Sequence, residues 1–371
     1  MKITHIETLP VLVPLTPRLA IKSARGYHTA SPFLFVKIHT DKEITGLGEV
    51  SCTPVWSGED NVTAGHYIQN LLAPALIGQD PRNIETCIAI LDSLLAENLF
   101  TKSGIEMALW DILGKVAGLP LYRLLGGAVR ETVPTKFSIS GLEPDKAAEI
   151  AHWAYRLGFR TMKVKVGKNP TEDIARVRAV RDAVGSEVRL GVDANGGWSV
   201  RDAVHTLNRL AECSIYFAEQ PVSPQDPAWM AEVRRNIGVP VMADESVFNL
   251  SQALALVRAE AADIFSVYVG KDGGIGAARK MAAVAEAAGL TCTVGSNLEL
   301  GVASAAMIHL AKATRGIDAE TFPCDIIGPL YYETDLLKSP LPIQGGVAQC
   351  HELPGLGVEL DDEAVSRYAC R

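Results

Sequence analysis

The chain has 371 residues, 48% of them apolar, so it can bury a large core in two or three domains or in one barrel with an accessory domain. A formal net charge of −8 and the lack of a Lys/Arg-rich patch argue against nucleic acid as the main partner. Its seven scattered cysteines form no C-x-x-C pair, which predicts a reduced, cytoplasmic protein without a disulfide frame or zinc cluster. No apolar stretch approaches the roughly 20 residues of a membrane span, so no membrane segment is expected.

The first 125 residues are predicted to form an α+β domain. Residues 1–15 alternate apolar and polar side chains, and a short turn joins the runs FLFVKIHT and ITGLGEV, which predicts a three-stranded antiparallel sheet. The later segment SGIEMALWDILGKVAGLP has the apolar spacing of a helix. Ser103 and Glu106 give this helix a capping-box signal at its start.

From residue 126 onward, short β-branched runs alternate with amphipathic helices. The runs are VPTKFSIS, TMKVKV, VRLGVDA, SIYFAEQ, VPVMADE, ADIFSVYV, LTCTVGS and GIDAET. About eight strands with seven helices between them indicate a parallel β/α barrel over residues 126–325. A doubly wound sheet is the alternative, but its first strand lacks a G-x-G-x-x-G turn. Prolines break the rhythm afterwards, so residues 326–371 are expected to pack back on the N-terminal domain.

Two lysines in the run TMKVKVG organise the predicted chemistry. Lys163 and Lys165 lie two residues apart on a strand, so their side chains share one face. Adjacent ammonium groups repel each other unless an anion lies between or opposite them. Asp193, Glu219 and Asp244 each end a later strand, and the carboxyl ends of barrel strands meet at one mouth.

Three carboxylates at one mouth would repel one another unless a cation neutralised them. An oxygen-only donor set without His or Cys selects a hard divalent ion, Mg²⁺ or Mn²⁺. The alternative is that each acid is a helix cap or a loop residue in contact with solvent, since Asp is a favoured cap. The lysines on the preceding strand favour the metal site.

The order of these motifs resembles the enolase superfamily and, within it, the muconate-lactonizing group. The resemblance covers essentially the whole chain, through KSGIEMALWDILGKVAGLPLYRLLGG, the K-x-K pair, GVDAN, EQP, MADES and PGLGVELDDEAVSRYACR. It implies an α/β fold, a (β/α)7β TIM-like barrel with an N-terminal α+β capping domain completed by the C-terminal segment. It further implies Asp193, Glu219 and Asp244 as metal ligands. Lys165 would be the base beside the substrate carboxylate, with Lys163 polarising the substrate.

A proton next to a carboxylate is too weakly acidic for an unaided lysine, because the intermediate is a dianion that a divalent ion must stabilise. Lys165 must be neutral to accept that proton, and the Lys163 ammonium together with the metal favours the neutral amine. Asn195 and Glu245 are predicted to hold the lysines in place.

The sequence departs from the group at the sixth and eighth strands. The group has a second lysine at the end of the sixth strand, where this chain has Tyr268, followed by Lys271. Either Tyr268 acts as a weaker acid, or Lys271 bends back to the site, or the tyrosine packs in the barrel and the lysine lies on the surface. Asp325 stands where the group has a Glu, Glu299 is a second candidate acid, and the Asp-x-Asp of dipeptide epimerases is absent.

The resemblance also implies that two loops, Lys22–Ser31 and Ser51–Asp60, set substrate choice. Their candidate substrate contacts are Lys22, Arg25, Tyr27, His28 and Trp56.

We therefore expect a divalent-metal-dependent isomerase or lyase that abstracts or delivers a proton α to a carboxylate, nearest to a muconate-type cycloisomerase. A dehydratase of an acid sugar, hydroxy acid or hydroxy-amino acid is one alternative. A racemase or epimerase of an amino-acid derivative is another and needs a second base; a non-catalytic barrel is the last. The expected partner is a small-molecule carboxylate, with no nucleic acid and no membrane, and the resemblance implies a homo-oligomer.

Overall fold

The computed structural model describes residues 1–370, and five strands open the chain: β1 (Ile3–Pro14), β2 (Ile21–Ser23), β3 (Gly26–His28), β4 (Ala30–Thr40) and β5 (Thr45–Val50). Three of them form an antiparallel sheet in the order β1-β4-β5, which confirms the sheet predicted from the alternating pattern. β2 and β3 pair as a separate hairpin, so the predicted Lys22–Ser31 loop has regular structure. Phe33 and Phe35 of the central strand are buried.

Six helices follow the sheet: α1 (Pro54–Ser57), α2 (Asn61–Tyr67), α3 (Ala73–Leu76), α4 (Ile84–Leu94), α5 (Leu99–Ala117) and α6 (Leu121–Leu124). A π-helical turn, Ile68–Leu72, links α2 to α3. α5 lies directly on β5 because glycines form the contact. A Cβ atom at Gly48 would lie 1.8 Å from the carbonyl oxygen of Gly104, so any side chain there would push the helix off the sheet.

The capping box predicted for α5 is wrong. The helix begins at Leu99, so Ser103 lies inside it. Glu59, in the loop between α1 and α2, accepts two backbone N–H groups at the helix start instead, at 2.9 and 3.1 Å. Glu106 accepts two backbone N–H groups at the start of a barrel helix, at 2.8 and 2.9 Å, and so ties α5 to the barrel. Tertiary contacts thus supply partners that the local sequence does not show.

Seven strands form one parallel sheet after the two-residue strand β6 (Val133–Pro134): β7 (Phe137–Ile139), β8 (Thr161–Lys165), β9 (Arg189–Asp193), β10 (Ile215–Glu219), β11 (Val241–Ala243), β12 (Ile264–Val267) and β13 (Thr291–Val294). Each strand pairs with the next one along the chain, in the order β7 to β13. Successive strand ends therefore lie side by side at one mouth. This curled sheet with its separate N-terminal region confirms the predicted fold class.

The eighth predicted strand, GIDAET, is not a strand. This part of the chain makes isolated parallel bridges, Ile317 with Cys292 and Cys324 with Thr135. Pro323 lacks the N–H group that a continuous ladder requires, which limits pairing here. The two bridges nevertheless place the segment between β13 and the start of the first barrel strand, and so bring Asp325 to the mouth.

Helices return the chain from one strand to the next: α7 (Pro144–Arg156), α8 (Pro170–Val184), α9 (Val200–Arg209), α10 (Pro227–Arg235), α11 (Leu250–Arg258), α12 (Val269–Asp272), α13 (Ile275–Ala287) and α14 (Gly301–Ala313). Short 3-10 turns occupy Pro17–Leu19, Ala211–Cys213 and Gly328–Leu330. Several of these helices begin at a side-chain cap: Asn169, Ser199, Asp226 and Asn249 each accept a backbone N–H of the first turn.

The C-terminal segment contacts both parts of the molecule. β14 (Ile343–Gln344) and β15 (Val347–Ala348) form a small sheet with β6, and α15 (Asp362–Tyr368) packs on β1. No helix within residues 1–370 is both long and apolar enough to cross a membrane. All seven cysteines are free thiols. The domain boundaries at residues 125 and 325 stay predictions.

Candidate active site

A cavity of about 280 Å³ lies where the carboxyl ends of the barrel strands face the loops of the N-terminal region. The predicted site residues that line it are Lys163, Lys165, Asp193, Asn195, Asp244 and Asp325 from the barrel, and Arg25, Tyr27, His28 and Trp56 from the loops. The lysine pair therefore meets both predicted substrate loops at one cavity.

Lys163 lies at the centre of a buried ion cluster. Its ammonium nitrogen is 2.6 Å from Asp325, 2.9 Å from Glu219 and 3.3 Å from Asp193. Although burial alone would lower the pKa of this lysine, the three carboxylates raise it well above its ordinary value. Lys163 is therefore a fixed positive charge in the wall of the cavity.

Lys165 differs from its neighbour in exposure and in partners. Its ammonium donates to Asp193 at 2.6 Å and to Asn195 at 3.0 Å. Its side chain is 16% exposed, against 4% for Lys163, and it lines the cavity. Of the two lysines that line the cavity, Lys165 is the more exposed to a substrate.

The three acids predicted as metal ligands do not form a ready-made metal centre. Among residues 1–370, no three His, Cys, Asp or Glu side chains are grouped closely enough to hold an ion as they stand. Ammonium groups neutralise the acids instead. Lys163 pairs with Asp193 and Glu219, and Lys271 pairs with Asp244 at 2.9 Å.

The donor set nevertheless fits a hard divalent ion. All three donors are carboxylates, and the second carboxylate oxygen of Glu219 is buried without a hydrogen-bond partner. Burial raises the pKa of Glu219, and the charges of Asp193 and Asp244 contribute to the rise. A cation beside these oxygens would offset that repulsion and satisfy the orphaned atom.

Neither candidate for the missing sixth-strand lysine reaches the cavity. Tyr268 and Lys271 are fully buried, and neither lines it. The Lys271 ammonium donates to the Asp244 carboxylate at 2.9 Å and to two backbone carbonyl oxygens. The Tyr268 hydroxyl has no hydrogen-bond partner within residues 1–370, and burial together with the Asp244 charge raises its pKa well above the ordinary value. The expectation of a surface position for Lys271 is therefore wrong, because its ammonium neutralises Asp244 inside the barrel.

The other two predicted acids have different partners. One oxygen of Glu245 accepts the side-chain N–H groups of Asn195 and Trp56, both at 3.0 Å. Glu299 accepts a hydroxyl and a backbone N–H of its own loop at 2.5 and 3.0 Å, and burial raises its pKa to about 7. Glu245 thus contacts a residue that holds Lys165, whereas Glu299 shapes the loop after β13 and does not line the cavity.

The β2–β3 hairpin contributes an arginine and a histidine to the mouth. The Arg25 Nε atom is buried without a hydrogen-bond partner, and it lies 4.0 Å from Glu245. Burial and the nearby charge of Lys165 lower the pKa of His28, so this imidazole is neutral at neutral pH. Tyr27 is 63% exposed at the rim.

Lys22 does not line the cavity, contrary to its prediction as a substrate contact. Side chains alternate along β2, and Ile21 and Ser23 on either side of it do line the cavity. Lys22 therefore points to the other face, where it pairs with Glu143 at 3.4 Å.

Lys136 on the first barrel segment is a buried lysine that the sequence interpretation missed. Its ammonium donates to the carbonyl oxygen of Pro323 at 2.9 Å and lies 3.8 Å from Asp325. The spacing in VPTKFSIS indicates this position: Lys136 and Ser138 are two residues apart, so their side chains share one face of the strand, and Ser138 lines the cavity. Lys163 and Lys136 together lower the pKa of Asp325, although burial opposes this.

Two family models match the chain, one for each part of the fold. Residues 5–126 match the N-terminal domain of mandelate racemase / muconate lactonizing enzyme. Residues 145–364 match the model described as enolase C-terminal domain-like.

Solved structures of three enzymes resemble the chain over nearly its full length. The N-succinyl Arg/Lys racemase of Bacillus cereus is 33% identical with a TM-score of 0.95, over 100% of this chain and 99% of that one. The muconate lactonizing enzyme of Pseudomonas fluorescens, complexed with muconolactone, is 31% identical with a TM-score of 0.95, over 100% and 99%. The dipeptide epimerase of Enterococcus faecalis, complexed with Mg and L-Leu-L-Tyr, is 32% identical with a TM-score of 0.92, over 97% and 100%.

Proposed function

Because the chain belongs to the mandelate racemase / muconate lactonizing enzyme family of the enolase superfamily, we propose that it moves a proton α to a substrate carboxylate from one face only, with muconate-type cycloisomerisation as the nearest reaction. One observation carries the proposal. Lys165 lines the cavity, whereas Tyr268 and Lys271, which follow the sixth barrel strand, are fully buried and do not line it. Lys163, the other lysine at the cavity, keeps its proton, so Lys165 is the one amine available as a base, which supports one-base chemistry.

Lys165 acts as the base in this proposal. Its neutral amine accepts the α-proton, and the electron pair of the C–H bond passes into the carboxylate as an enolate. In the lactonising direction a substrate carboxylate oxygen adds to the β-carbon, the C=C pair moves to the α-carbon, and the Lys165 ammonium delivers the proton there. Lys163 keeps its proton throughout and supplies a fixed positive charge as negative charge develops.

Asp193, Glu219 and Asp244 are the residues that would hold a divalent ion, and Mg²⁺ is the proposed one. When bound, the ion polarises the substrate carboxylate and stabilises the developing enolate charge. The carboxylate-only donor set and the unpartnered oxygen of Glu219 support this assignment. The epimerase of Enterococcus faecalis was solved with Mg, which is consistent with it.

The loops favour a substrate with a second acidic group. Arg25 lines the cavity, and a carboxylate is the strongest partner for its guanidinium group. The Asp-x-Asp with which dipeptide epimerases hold a substrate ammonium is absent, and the one acid there, Asp325, pairs with Lys163 at 2.6 Å. A dicarboxylate such as muconate, or an N-acylated amino acid, therefore fits better than a dipeptide with a free amino group.

A racemase or epimerase is the second candidate, because two of the similar solved structures carry those names. This reaction needs a proton acceptor on each face of the α-carbon. Tyr268 or Lys271 would have to act as that second group. The hydroxyl of Tyr268 is buried and the ammonium of Lys271 pairs with Asp244, and neither residue lines the cavity, which does not favour the role.

Deuterium incorporation separates the two candidates. The protein is incubated with Mg²⁺ in deuterated water, with cis,cis-muconate, N-succinyl-L-arginine or L-Leu-L-Tyr, and products are followed by NMR and chiral chromatography. We expect a lactone with one deuterium on one face, or α-proton exchange with retained configuration. Exchange with loss of configuration would contradict one-base chemistry and support the racemase.

A chelator tests the metal in the same assay. Pre-treatment with EDTA should abolish the reaction, and added Mg²⁺ should restore it. Mn²⁺ in place of Mg²⁺ then shows which ion supports the higher rate. Full activity after EDTA would contradict the proposed ligand set.

A further inference from the structure

Both loops of the N-terminal region meet the barrel at Glu245. The indole N–H of Trp56, in α1, donates to one oxygen of Glu245 at 3.0 Å. The Arg25 Nε atom, from the β2–β3 hairpin, lies 4.0 Å from the same oxygen. Glu245 itself is 5% exposed, so these contacts are shielded from water. The Glu245 carboxylate of the barrel thus lies next to both segments that cover the cavity.

The same oxygen continues a hydrogen-bond chain toward Lys165. It accepts Asn195 Nδ2 at 3.0 Å, and Asn195 Oδ1 accepts the Lys165 ammonium at 3.0 Å. The amide of Asn195 has one workable orientation, because turning it would set its NH₂ group against the ammonium and its oxygen against the carboxylate. The hydrogen bonds therefore connect Trp56 to Glu245, Glu245 to Asn195, and Asn195 to Lys165.

Two features hold this series of hydrogen bonds in place, one at Asn195 and one at Trp56. The backbone of Asn195 has φ of 45°, in the left-handed region, and its N–H donates to Asp193 at 2.9 Å. The ring of Trp56 stacks on Tyr268 with 5.7 Å between centroids and 23° between planes, and it also contacts Phe100 and Phe248. Trp56 is thus wedged between aromatic rings, with its one N–H aimed at Glu245.

We propose that Trp56 is a positioning residue whose indole N–H fixes Glu245, which orients Asn195 and through it the amine of Lys165. The loop that covers the cavity thereby aligns the base as well. This inference rests on the proposed role of Lys165 as the base. Trp56 would therefore affect the chemical step. A residue that only covered the cavity would affect substrate binding alone.

The chain can be tested without any substrate, by the indole ¹H–¹⁵N signals of the five tryptophans. The Trp56 signal is assigned as the one that disappears in Trp56→Phe. Asn195→Ala should shift that signal, whereas the signal of Trp110, which donates to Glu106 at 2.8 Å on α5, should not move. If Asn195→Ala disturbs all five signals through misfolding, Asn195→Asp serves instead, because it keeps the side-chain size and loses the donor to Glu245. An unmoved Trp56 signal in a folded variant would overturn the inference.

Kinetics give the second test, on whichever of cis,cis-muconate, N-succinyl-L-arginine or L-Leu-L-Tyr reacts. Trp56→Phe keeps a ring in the aromatic cluster and removes the N–H, so we expect kcat and kcat/KM to fall together, roughly 10- to 100-fold. Trp110→Phe removes a similar indole-to-carboxylate bond elsewhere and should behave like the parent protein. A raised KM with unchanged kcat in Trp56→Phe would show a cover role only and contradict the inference. If all three compounds are inert, the proposed function fails, and the indole signals still decide the inference.

Discussion

Replacing Lys163 with Met should destabilise the protein strongly. The change leaves three buried carboxylates around an apolar side chain in place of an ammonium 2.6, 2.9 and 3.3 Å away. Breaking a buried ion pair costs about 3–5 kcal/mol. Lys165 still lies 2.6 Å from Asp193, and Lys136 lies 3.8 Å from Asp325, so Glu219 is the acid left without a close partner. We therefore expect the free energy of unfolding to decrease by about 3 kcal/mol, the lower end of that range.

Urea unfolding in EDTA, followed by circular dichroism, measures this loss. Lys102→Met is the matched control, because Lys102 is also nearly buried but its partner Asp92, at 2.7 Å, is 60% exposed. The control should lose less than about 1 kcal/mol. If Lys163→Met lost no more than Lys102→Met, the view that Lys163 neutralises the acids of the site would be refuted.

Two further predictions concern His309 and Tyr268. Burial lowers the pKa of His309 from 6.5 to about 4. As the pH falls, the unfolded chain therefore binds a proton at this residue near pH 6.5, whereas the folded protein binds it only near pH 4. The free energy of unfolding should therefore decrease by about 3 kcal/mol in total as the pH falls from 6.5 to 4. Urea unfolding of His309→Gln over the same pH range should not show this decrease. Tyr268→Phe removes a buried hydroxyl without a partner, so the free energy of unfolding should stay the same or rise and deuterium exchange should persist. A loss of exchange of roughly 100-fold would instead identify the phenol as a catalytic acid or base.

The framework of the fold and the identity of the central site residues could be predicted from local sequence. Alternation of apolar and polar residues marks strands, and the polar residues at strand ends are forced to one mouth once the strands are parallel. That reasoning brought Lys163, Lys165, Asp193 and Asp244 to one cavity. Asp325 was predicted from the family resemblance instead, and it lines the same cavity although its segment is bridged and not a continuous strand.

Partners that are distant in sequence could not be predicted in the same way. Glu106 has the spacing of a local cap, yet it binds the start of a barrel helix, because α5 is buried between sheet and barrel. Lys271 follows a strand as a loop lysine would, but the one-turn α12 directs its ammonium inward to Asp244. The bond from Trp56 to Glu245 joins residues whose proximity depends on how the loop of the N-terminal region covers the mouth. No local periodicity encodes that contact.

The most direct measurement of the central claim is α-proton exchange by Lys165→Ala. The assay compares the parent protein and the variant, both with Mg²⁺ in deuterated water, on the compound that the parent exchanges. Because a general base contributes roughly 10²- to 10⁴-fold, exchange should fall by at least about 100-fold, while circular dichroism shows an unchanged fold. Exchange at the parent rate in a folded Lys165→Ala variant would contradict the assignment of the base.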